Sequence, residues 1–444
     1  MNKSSIYNIW VKNILFNSLS NNAISLLDDE VDEIKYYIKN IEEFEINYPE
    51  VFEKFRNMGF IIDFDFNELE YILYKNRIDT LQNKNYRLTI NPTLQCNYKC
   101  WYCCVEDQET KYEQRRMDDE TIEKIKKHIK YMVEIEKIQS LYLDWFGGEP
   151  LMYFYEVIYP ISKYSIELCK KNNIPYSSHA TTNAYYIDDK MINLFNKIKL
   201  TSFQIPIDGN EKKHNFVKNI EGIGHYKQIV ENINKIVKNV EEPVIIMRIN
   251  YDKQTLKNAT DVINDIKKEN RGKIFVDFQR VWQIDLTQNE EGDNNLLIKV
   301  KKEFEKEGFI SSYFAYGRRN SFKCCYADSF YHRAVNYDGK IFKCTARDYA
   351  DELCIGSFNE DGSIKFNTEI ISKMFSGCTF GNEKCLNCVK LPLCFGPCIQ
   401  KYYETKIGKA NFKCLHDFAE ISLETYVKDR VEKQNKFLKE YENL

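Results

Sequence analysis

The stretch Cys96-Asn-Tyr-Lys-Cys100-Trp-Tyr-Cys103 places three thiols within eight residues, directly after the strand-like run YRLTINPTL. Zinc sites usually use four ligands and redox pairs use two cysteines, so three from one loop need another explanation. A [4Fe–4S] cluster needs three protein thiolates when its fourth iron stays open to an exogenous ligand. A zinc site short of one ligand and a chance cluster are the alternatives that this motif alone leaves open.

The other cysteines are concentrated near the C-terminus. The chain has 15 cysteines, and ten of them lie between residues 324 and 414. In a reducing compartment, metal binding or catalysis explains such a set better than disulfides do. The second array reads Cys385-x2-Cys388-x5-Cys394-x3-Cys398 and then Cys414, and upstream Cys325 is followed by Gly339 and Cys344. Chance produces a CX2CX5CX3C run at this cysteine content with odds of about one in a thousand.

Polar clusters follow several strand-like runs at the point where each run ends. They are Gly147-Gly148-Glu149-Pro150, Thr181-Thr182-Asn183, Gln204-Ile-Pro-Ile-Asp208-Gly209, and Arg248 with Asn250. Paired glycines let the backbone approach a ligand closely, and a carboxylate beside them can accept hydrogen bonds from an ammonium group. Because the carboxyl ends of parallel strands meet at one edge of a sheet, we expect these groups to line one pocket.

Short apolar runs alternate with amphipathic helical runs between residues 86 and 285. We expect strands at RLTINPT, SLYLDWFG, YSSHATTN, SFQIPID, PVIIMRINY and IFVDFQRVW, with helices such as DDETIEKIKKHIKYMVEI between them. Such β/α units in sequence favour parallel strands with right-handed crossovers, either in an open doubly wound sheet or in a barrel. The pattern therefore predicts an α/β fold.

Composition divides the chain into segments. We expect a small N-terminal α+β domain over 1–85, the α/β domain over 86–285, a bridging region over 286–319, a cysteine-rich domain over 320–420 and a C-terminal helix over 421–444. In the first segment the strand-like runs IYNIWV and AISLL precede charged helical stretches.

The bulk composition also bears on the partners. A net charge of −3 gives no electrostatic reason to expect nucleic acid. No apolar run approaches the ~18 residues of a membrane helix, and the N-terminal MNKSSIYNIWVKNILF lacks the apolar core of a signal peptide. We therefore predict a cytoplasmic protein with neither nucleic-acid nor membrane partners.

The CX3CX2C motif, GGEP, TTNA and the strand that ends in Asp208-Gly209 together resemble the radical S-adenosylmethionine (SAM) family over residues 86–285. The resemblance implies a partial (β/α)6 barrel of the TIM type. It also implies a [4Fe–4S] cluster on Cys96, Cys100 and Cys103 whose open iron binds SAM. Reductive cleavage of SAM would then give a 5′-deoxyadenosyl radical that removes a hydrogen atom from the substrate, with flavodoxin or ferredoxin as the external electron donor.

The same resemblance implies roles for the strand-end residues. Gly147, Gly148 and Glu149 would hold the amino end of SAM, and Asn183, Gln204 and Arg248 would contact its ribose or carboxylate. Two positions depart from the pattern of many relatives. Cys104 stands where an aromatic residue is common, and Pro206 stands where a Ser or Thr hydroxyl is common.

Residues 320–420 resemble the SPASM extension of radical SAM enzymes. The resemblance implies an auxiliary cluster on Cys385, Cys388, Cys394 and Cys414, called cluster II below, and a second, cluster I, on Cys325, Cys344 and Cys398. Three [4Fe–4S] clusters are thus expected. Cys324 is an alternative to Cys325, and Cys324, Cys354 or Cys378 could supply a fourth ligand to cluster I. Without one, an open iron could bind a substrate thiolate; zinc ribbons are the non-redox alternative.

SPASM relatives act mostly on peptides or proteins. Relatives that form formylglycine in sulfatases typically have an aspartate directly after the cysteine of G-x4-C, whereas here Asp348 comes four residues after Cys344. The string CTARD instead resembles radical SAM maturases of ribosomally made peptides. We therefore predict hydrogen abstraction from a precursor peptide and an intramolecular thioether or C–C crosslink. Formylglycine formation, peptide dehydrogenation and epimerisation are the alternatives.

Residues 1–85 are compatible with a winged-helix-like module that binds a leader peptide as an added strand, or with an ordinary cap on the barrel. A non-enzymatic reading is an iron–sulfur electron carrier or scaffold. The GGEP and TTNA segments and Arg248 disfavour it, because a carrier needs no SAM pocket.

Overall fold

The computed structural model describes residues 1–105, 115–281, 283, 291–311, 321–347, 349–411, 414–419 and 421–442 of the chain. Asp348, which enters the argument about formylglycine, lies outside these residues. The chain forms two compact units. Unit 1 comprises Met1–Gln82, Tyr313–Asp328 and Ser376–Leu444, and unit 2 comprises Asn83–Ser312 and Ser329–Phe375. Over the described residues, no helix combines the length and the apolar character needed to cross a membrane.

The strands of the described residues are, in chain order, β1 (Asn2–Ser4), β2 (Asn8–Val11), β3 (Ile14–Asn17), β4 (Ala23–Ser25), β5 (Ile61–Asp63), β6 (Asn85–Ile90), β7 (Ser140–Trp145), β8 (Tyr176–Thr181), β9 (Leu200–Ile207), β10 (Asn219–Ile220), β11 (Ile223–Gly224), β12 (Val244–Tyr251), β13 (Ile274–Arg280), β14 (Ile310–Ser311), β15 (His332–Val335), β16 (Ile341–Phe342), β17 (Gly356–Phe358) and β18 (Ile364–Phe366).

The α-helices of the same residues are α1 (Val31–Lys39), α2 (Ile41–Asn47), α3 (Pro49–Asn57), α4 (Glu68–Arg77), α5 (Asp119–Glu134), α6 (Tyr159–Lys171), α7 (Asp189–Lys197), α8 (Glu211–Val217), α9 (Tyr226–Asn239), α10 (Lys253–Asn258), α11 (Val262–Asp265), α12 (Glu291–Lys306), α13 (Thr368–Phe375), α14 (Glu383–Leu386), α15 (Leu391–Cys394), α16 (Ile399–Lys406) and α17 (Leu423–Glu442).

Unit 2 is built on one 11-stranded sheet with the order β14-β13-β12-β9-β8-β7-β6-β15-β16-β17-β18. In this order, each pair of neighbouring strands between β14 at one edge and β15 is parallel. The pairs β15-β16, β16-β17 and β17-β18 are antiparallel. Strands β6, β7, β8, β9, β12 and β13 lie side by side in chain order, without the reversal of strand order that a doubly wound sheet has. The doubly wound alternative is therefore excluded. Within the described residues β14 and β18 are edges, and no closed barrel forms.

The amphipathic patterns explain these elements. Along β9 the buried residues Phe203, Ile205 and Ile207 alternate with partly exposed ones, as a strand with two unlike faces requires. Asp118 is the N-cap residue of helix α5, and its carboxylate accepts a hydrogen bond of 2.8 Å from the amide of Thr121. Each predicted strand of 86–285 overlaps an observed one, from β6 to β9 and at β12 and β13.

Unit 1 contains two short antiparallel sheets near the N-terminus, β1-β5 and β2-β3-β4. The runs IYNIWV and AISLL overlap β2 and β4, while β1, β3 and β5 lie outside the predicted strands. A core of apolar side chains joins these strands to α1, α2 and α3, and its buried members are Leu15, Ile38, Phe44, Phe52, Phe55, Phe60 and Ile61.

The cysteine-rich segment 320–420 is divided between the two units. Residues 329–375 extend the sheet of unit 2, whereas the parts before and after them belong to unit 1. In unit 1 these parts share a second core with the N-terminal residues, and its buried members are Tyr7, Ile72, Cys324, Leu391 and Phe395.

Candidate active site

The cysteine loop that follows β6 is held against the loop that follows β7. The amide of Gly148 donates to the carbonyl of Thr93 at 3.0 Å, and the amide of Glu149 donates to the carbonyl of Gln95 at 2.8 Å. A Cβ on Gly147 would lie 2.3 Å from the Thr93 oxygen, and a Cβ on Gly148 would lie 2.0 Å from the Gln95 oxygen. Only glycine leaves room for this approach, so the paired glycines fix the position of the thiols.

Glu149 joins the ends of β7 and β8 through its carboxylate. One oxygen accepts hydrogen bonds from Leu151 N at 3.0 Å and from the hydroxyl of Thr182 at 2.7 Å, and the other accepts from Asn183 N at 2.7 Å. The side chain is 1% exposed. Burial raises the pKa of Glu149 to about 7, although these three hydrogen bonds act in the opposite direction.

Asn183 extends this connection to the cysteine loop. Its side-chain nitrogen donates to the Oδ1 of Asn97 at 2.7 Å and lies 3.8 Å from the Sγ of Cys96. Its own Oδ1 accepts a hydrogen bond from the amide of Tyr185 at 2.9 Å, which fixes the orientation of the side chain. The ends of β6, β7 and β8 are thus connected through hydrogen-bonded residues.

The three thiols lie within this loop. The Sγ of Cys96 accepts from the amide of Tyr98 at 3.4 Å, and the amide of Cys103 donates to the carbonyl of Cys100 at 3.2 Å. Burial, followed by the charge of Glu149, raises the pKa of Cys96. No three His, Cys, Asp or Glu side chains of the described residues converge closely enough for a single metal ion. In a [4Fe–4S] cluster each thiolate binds a different iron, so that convergence is not required.

Two buried donors beside the thiols fit an anionic cluster. Among the described residues, the side-chain nitrogen of Asn97 and the hydroxyl of Tyr98 are buried and have no hydrogen-bond partner. Buried polar groups without partners are rare and costly, so each marks a place where an acceptor is expected. The sulfides and thiolates of a cluster would supply such acceptors. The residues present therefore fit the group that the motif implies.

A buried ion pair lies at the end of β9. Lys218 is 2% exposed and its ammonium donates to the carboxylate of Asp208 and, at 2.5 Å, to the hydroxyl of Tyr102. The hydroxyl of Tyr102 in turn donates to Asp208. Burial lowers the pKa of Lys218, but Asp208, Tyr102 and Cys100 together outweigh this effect and hold the pKa well above its usual value. Tyr102 stands between the second and third thiols in sequence, so this pair is connected to the cysteine loop.

The strand ends of β9 and β12 supply the remaining predicted contacts. Arg248 donates from Nε to Asn250 at 2.9 Å, and Asn250 Nδ2 donates to the hydroxyl of Tyr102 at 3.3 Å. Gln204 lies on β9, where its backbone carbonyl accepts from the amide of Thr182 at 3.0 Å. The hydrogen bonds thus connect Arg248 to the cysteine loop. Gln204 is connected to β8 only through its backbone.

Cys104 lies directly after the third thiol and is partly buried. Burial and the charge of Cys103 raise its pKa to about 11, Arg248 opposes this, and Cys344 adds a smaller increase. Cys104, Arg248 and Cys344 all belong to unit 2. The thiol of Cys354, also in unit 2, donates to the carbonyl of Gly356 at 3.4 Å.

The second array brings four thiols together in unit 1. Burial raises the pKa of Cys394 to about 12, and the amide of Gly396 opposes this by donating to its Sγ at 3.3 Å. Three neighbouring thiols, Cys388, Cys385 and Cys414, raise it further. Burial also raises the pKa of Cys385 to about 11, with contributions from Cys414 and Cys388. Cys394 and Cys385, two of the residues predicted to hold cluster II, thus both lie within electrostatic range of Cys388 and Cys414.

Asp328 connects Cys325, which is predicted for cluster I, to the residue that follows Cys398, another predicted ligand of that cluster. One carboxylate oxygen accepts from the amide of Cys325 at 2.8 Å, and the other accepts from the amide of Ile399 at 2.7 Å, next to Cys398. Cys325 and Cys398 are both partly buried against the second core of unit 1, whereas Cys324 is one of its buried members. Cys344 belongs to unit 2, and the side chain of Cys378 lies outside the described atoms.

The structure adds three residues that the sequence did not single out, namely Asn97, Tyr102 and Lys218. Asn97 and Tyr102 lie inside the CX3CX2C motif, and their polar side chains were the available signal. Lys218 gives no such signal, because it is one of 63 Lys and Arg residues and follows a charged helical stretch.

Comparisons with known proteins concern the family and the fold. Residues 90–266 match the model of the Radical SAM superfamily. The structure of native anSMEcpe with bound AdoMet is 17% identical, covers 73% of this chain and 95% of its own, and has a TM-score of 0.53. Native anSMEcpe with bound AdoMet and Cp18Cys peptide is 17% identical, covers 73% and 94%, and has a TM-score of 0.50.

Streptococcus suis SuiB bound to its precursor peptide SuiA is 16% identical, covers 91% of this chain and 97% of its own, and has a TM-score of 0.48. At these identities the similarity to anSMEcpe extends to the fold alone. No protein with curated annotation matches the chain.

Proposed function

We propose that the chain is a radical SAM peptide maturase, on the premise that residues 90–266 match the model of the Radical SAM superfamily. It abstracts a hydrogen atom from a ribosomally made precursor peptide and forms an intramolecular thioether or C–C crosslink. The fold that we assign to it is a partial (β/α)6 barrel followed by a SPASM-type extension.

The observation that carries the proposal is the hydrogen-bonded connection among the strand ends of unit 2. The Glu149 carboxylate and the Asn183 amide link the loops after β7 and β8 to Cys96. Tyr102, inside the cysteine motif, is hydrogen-bonded to Asp208 after β9 and to Asn250 on β12. An electron carrier needs a cluster site only, whereas this arrangement surrounds the thiols with groups that can bind a polar cosubstrate.

The residues have the following roles in this proposal. Cys96, Cys100 and Cys103 hold a [4Fe–4S] cluster, and SAM bound at its open iron supplies the 5′-deoxyadenosyl radical. Gly147 and Gly148 hold the cysteine loop in place, and Glu149 faces the amino end of SAM. Asn183, Gln204 and Arg248 contact its ribose or carboxylate.

The auxiliary array supports a redox step after hydrogen abstraction. In this proposal cluster II is held by Cys385, Cys388, Cys394 and Cys414, and it accepts the electron that remains when a substrate radical closes to product. Cluster I is held by Cys325, Cys344 and Cys398. The shared contact of Cys325 and Ile399 with Asp328 supports Cys325 over the buried Cys324.

A groove in unit 1 supports the binding of a leader peptide. It has a volume of about 740 Å³ and is lined by β1, β2 and the junction of α1 and α2. In the described residues β1 pairs only with β5, and β2 pairs only with β3, so each offers an unpaired edge next to the groove. Edges of this kind accept an extended peptide as an added strand. The similarly folded anSMEcpe has been solved with a peptide, which supports this substrate class.

The test is SAM cleavage by the anaerobically reconstituted protein. With SAM and dithionite, and with flavodoxin or ferredoxin as the alternative electron donor, we expect 5′-deoxyadenosine. The variant with Cys96, Cys100 and Cys103 all replaced by Ala should form none. Cys169→Ala, at a buried position of α6 outside both arrays, is the matched control and should keep the activity. No 5′-deoxyadenosine from protein with the first cluster intact would contradict an enzymatic function.

The peptide substrate is to be sought among the products of neighbouring open reading frames. A short precursor with repeated Cys or aromatic motifs is expected. Incubation of the enzyme with this precursor should give a product whose mass is lower by two hydrogen atoms. Tandem mass spectrometry of the product should show no backbone fragments between the two joined residues. A product that reacts with an aldehyde reagent would indicate formylglycine instead.

A further inference from the structure

Tyr7 carries a buried hydroxyl near the N-terminus of the chain. The residue lies between β1 and β2 in unit 1, and its side chain is 1% exposed. Among the described residues its hydroxyl has no hydrogen-bond partner. Leaving a buried donor unpaired costs about 1–3 kcal/mol, so a group outside the polypeptide is expected to accept from it.

The surroundings of Tyr7 point to the second cysteine array. Tyr7 shares a core with the buried Leu391 and Phe395, and the partly buried thiol of Cys385 packs against the same core. Burial, then Glu68 and then Cys388 raise the pKa of Tyr7 to about 12, so the ring lies within electrostatic range of the Cys388 thiol.

Hydrogen bonds connect the backbone of Tyr7 to the residue after Cys388. The amide of Ser18 donates to the carbonyl of Tyr7 at 3.0 Å, and the hydroxyl of Ser18 donates to the carbonyl of Val389 at 2.5 Å. The N-terminal sheets and the Cys385-x2-Cys388 turn are thereby held together within unit 1.

The position of Tyr7 is also fixed from the other side. Its amide donates to the hydroxyl of Ser5 at 3.1 Å, and that hydroxyl donates to the carboxylate of Glu68 at 2.5 Å. The second oxygen of Glu68 accepts from the amide of Ile6 at 2.8 Å. Glu68 is therefore committed to Ser5 and Ile6, and the phenol of Tyr7 is held in place without using its own hydroxyl.

We propose that the Tyr7 hydroxyl donates a hydrogen bond to cluster II, at the sulfur of Cys388 or at an adjacent sulfide. The inference rests on the proposed function, which supplies that cluster. Reduction adds negative charge to an iron–sulfur cluster, and a donor to its sulfur stabilises the reduced form. Tyr7 is thus a positioning residue that raises the reduction potential of the cluster that accepts the electron.

The experiment isolates the auxiliary clusters and measures their potentials. The background is the variant in which Cys96, Cys100 and Cys103 are replaced by Ala, reconstituted anaerobically. The electron paramagnetic resonance signal that disappears on the further change Cys388→Ala identifies cluster II. A redox titration of this signal is then compared between the background and Tyr7→Phe, which removes only the hydroxyl. Tyr176→Phe, which removes a buried hydroxyl on β8 in unit 2, is the matched control.

The expected result is a midpoint shifted to more negative potential in Tyr7→Phe, with unchanged iron content and no shift in Tyr176→Phe. At the original midpoint, loss of one hydrogen bond should lower the ratio of reduced to oxidised cluster about tenfold. For a one-electron couple this change corresponds to a midpoint shift of about 59 mV. An unchanged midpoint in Tyr7→Phe overturns the inference and leaves the proposed function intact. If the background variant binds no iron after reconstitution, the auxiliary-cluster part of the proposed function is overturned, and this inference is overturned with it.

A second variant covers the case in which Tyr7→Phe fails to fold or to bind iron. Replacing Tyr7 alone by 3-fluorotyrosine keeps the ring and the hydroxyl and makes the hydroxyl a stronger donor. The midpoint of the same signal should then move to more positive potential. A midpoint that stays constant or falls would show that a trapped water, rather than the cluster, accepts from Tyr7.

Discussion

The backbone amide of Asn183 donates a hydrogen bond of 2.7 Å to the carboxylate of Glu149, and this contact connects the end of β8 to the end of β7. The side chain of Asn183 then reaches Asn97 and Cys96 in the loop after β6. A carboxylate that is 1% exposed therefore connects these strand ends before any ligand binds. In the function that we propose, its remaining lone-pair capacity accepts a hydrogen bond from the positively charged amino group of SAM.

The buried Glu149 predicts a specific dependence of stability on pH. Its pKa is raised from 4.5 to about 7 in the folded protein, mainly by burial. The folded state then binds the proton more tightly than the unfolded state, so stability falls as the pH rises from about 4.5 to about 7. The loss over this interval is about 3 kcal/mol. Urea unfolding of the cluster-free protein at several pH values measures it.

Glu149→Gln is the control for this titration, because its amide has no proton to lose. The variant is expected to be less stable at low pH, where the protonated wild-type carboxyl keeps its contacts. It should also lack the part of the slope that belongs to Glu149. Equal slopes in the two proteins would contradict the assignment of the raised pKa to this residue.

Gly148→Ala tests whether the paired glycines hold the cysteine loop. The added Cβ would lie 2.0 Å from the carbonyl oxygen of Gln95, which is backbone and can move only with the loop. We expect a loss of stability of about 3 kcal/mol and the loss of about four iron atoms per chain, with the auxiliary iron retained. Iron analysis and thermal unfolding measure both effects.

Gly272→Ala is the matched change, since the nearest atom to its added Cβ is 4.0 Å away. It should keep both the iron content and the unfolding temperature. Full iron binding by Gly148→Ala would mean that the loop tolerates displacement and that close approach is unimportant.

The sequence predicted the centre of the fold well for a physical reason. Strands β6 to β9, β12 and β13 are long enough to show alternating or continuous apolar character, and each ends in a polar cluster. Parallel strands then require their carboxyl ends to meet. This is why Glu149 and Asn183, which are 34 residues apart in the chain, could be expected to lie close together, as their hydrogen bond shows.

Other parts of the structure depend on contacts that leave no periodic signal. Strands β1 and β5 have three residues each and pair across about 60 positions, as the partners Asn2 and Asp63 show. The parallel pairing of β15 with β6 joins residues that lie more than 240 positions apart, such as Arg87 and His332. Lys218 is buried by an equally non-local contact, its ion pair with Asp208 after β9.

The Asp208–Lys218 pair predicts strong coupling between two substitutions. Lys218→Met removes the cation and leaves the Asp208 carboxylate buried without compensation, which costs about 3–5 kcal/mol. Adding Asp208→Asn removes the stranded charge, so the double variant should recover a large part of the loss. The free energy of unfolding of the wild type, both single variants and the double variant gives the coupling. Additive losses would show that the two groups do not form a buried pair in solution.

Cys388→Ala separates the two redox roles that we propose. Cys388 is a neighbour of Cys394 and Cys385 in unit 1, whereas the thiols of the first cluster lie in unit 2. We expect the variant to lose the iron of cluster II and to keep measurable formation of 5′-deoxyadenosine. It should nevertheless form no crosslinked peptide, because the electron left after hydrogen abstraction has no acceptor. Cys169→Ala, tested beside it, should keep all three properties, and full crosslinking by Cys388→Ala would refute the role of the auxiliary cluster.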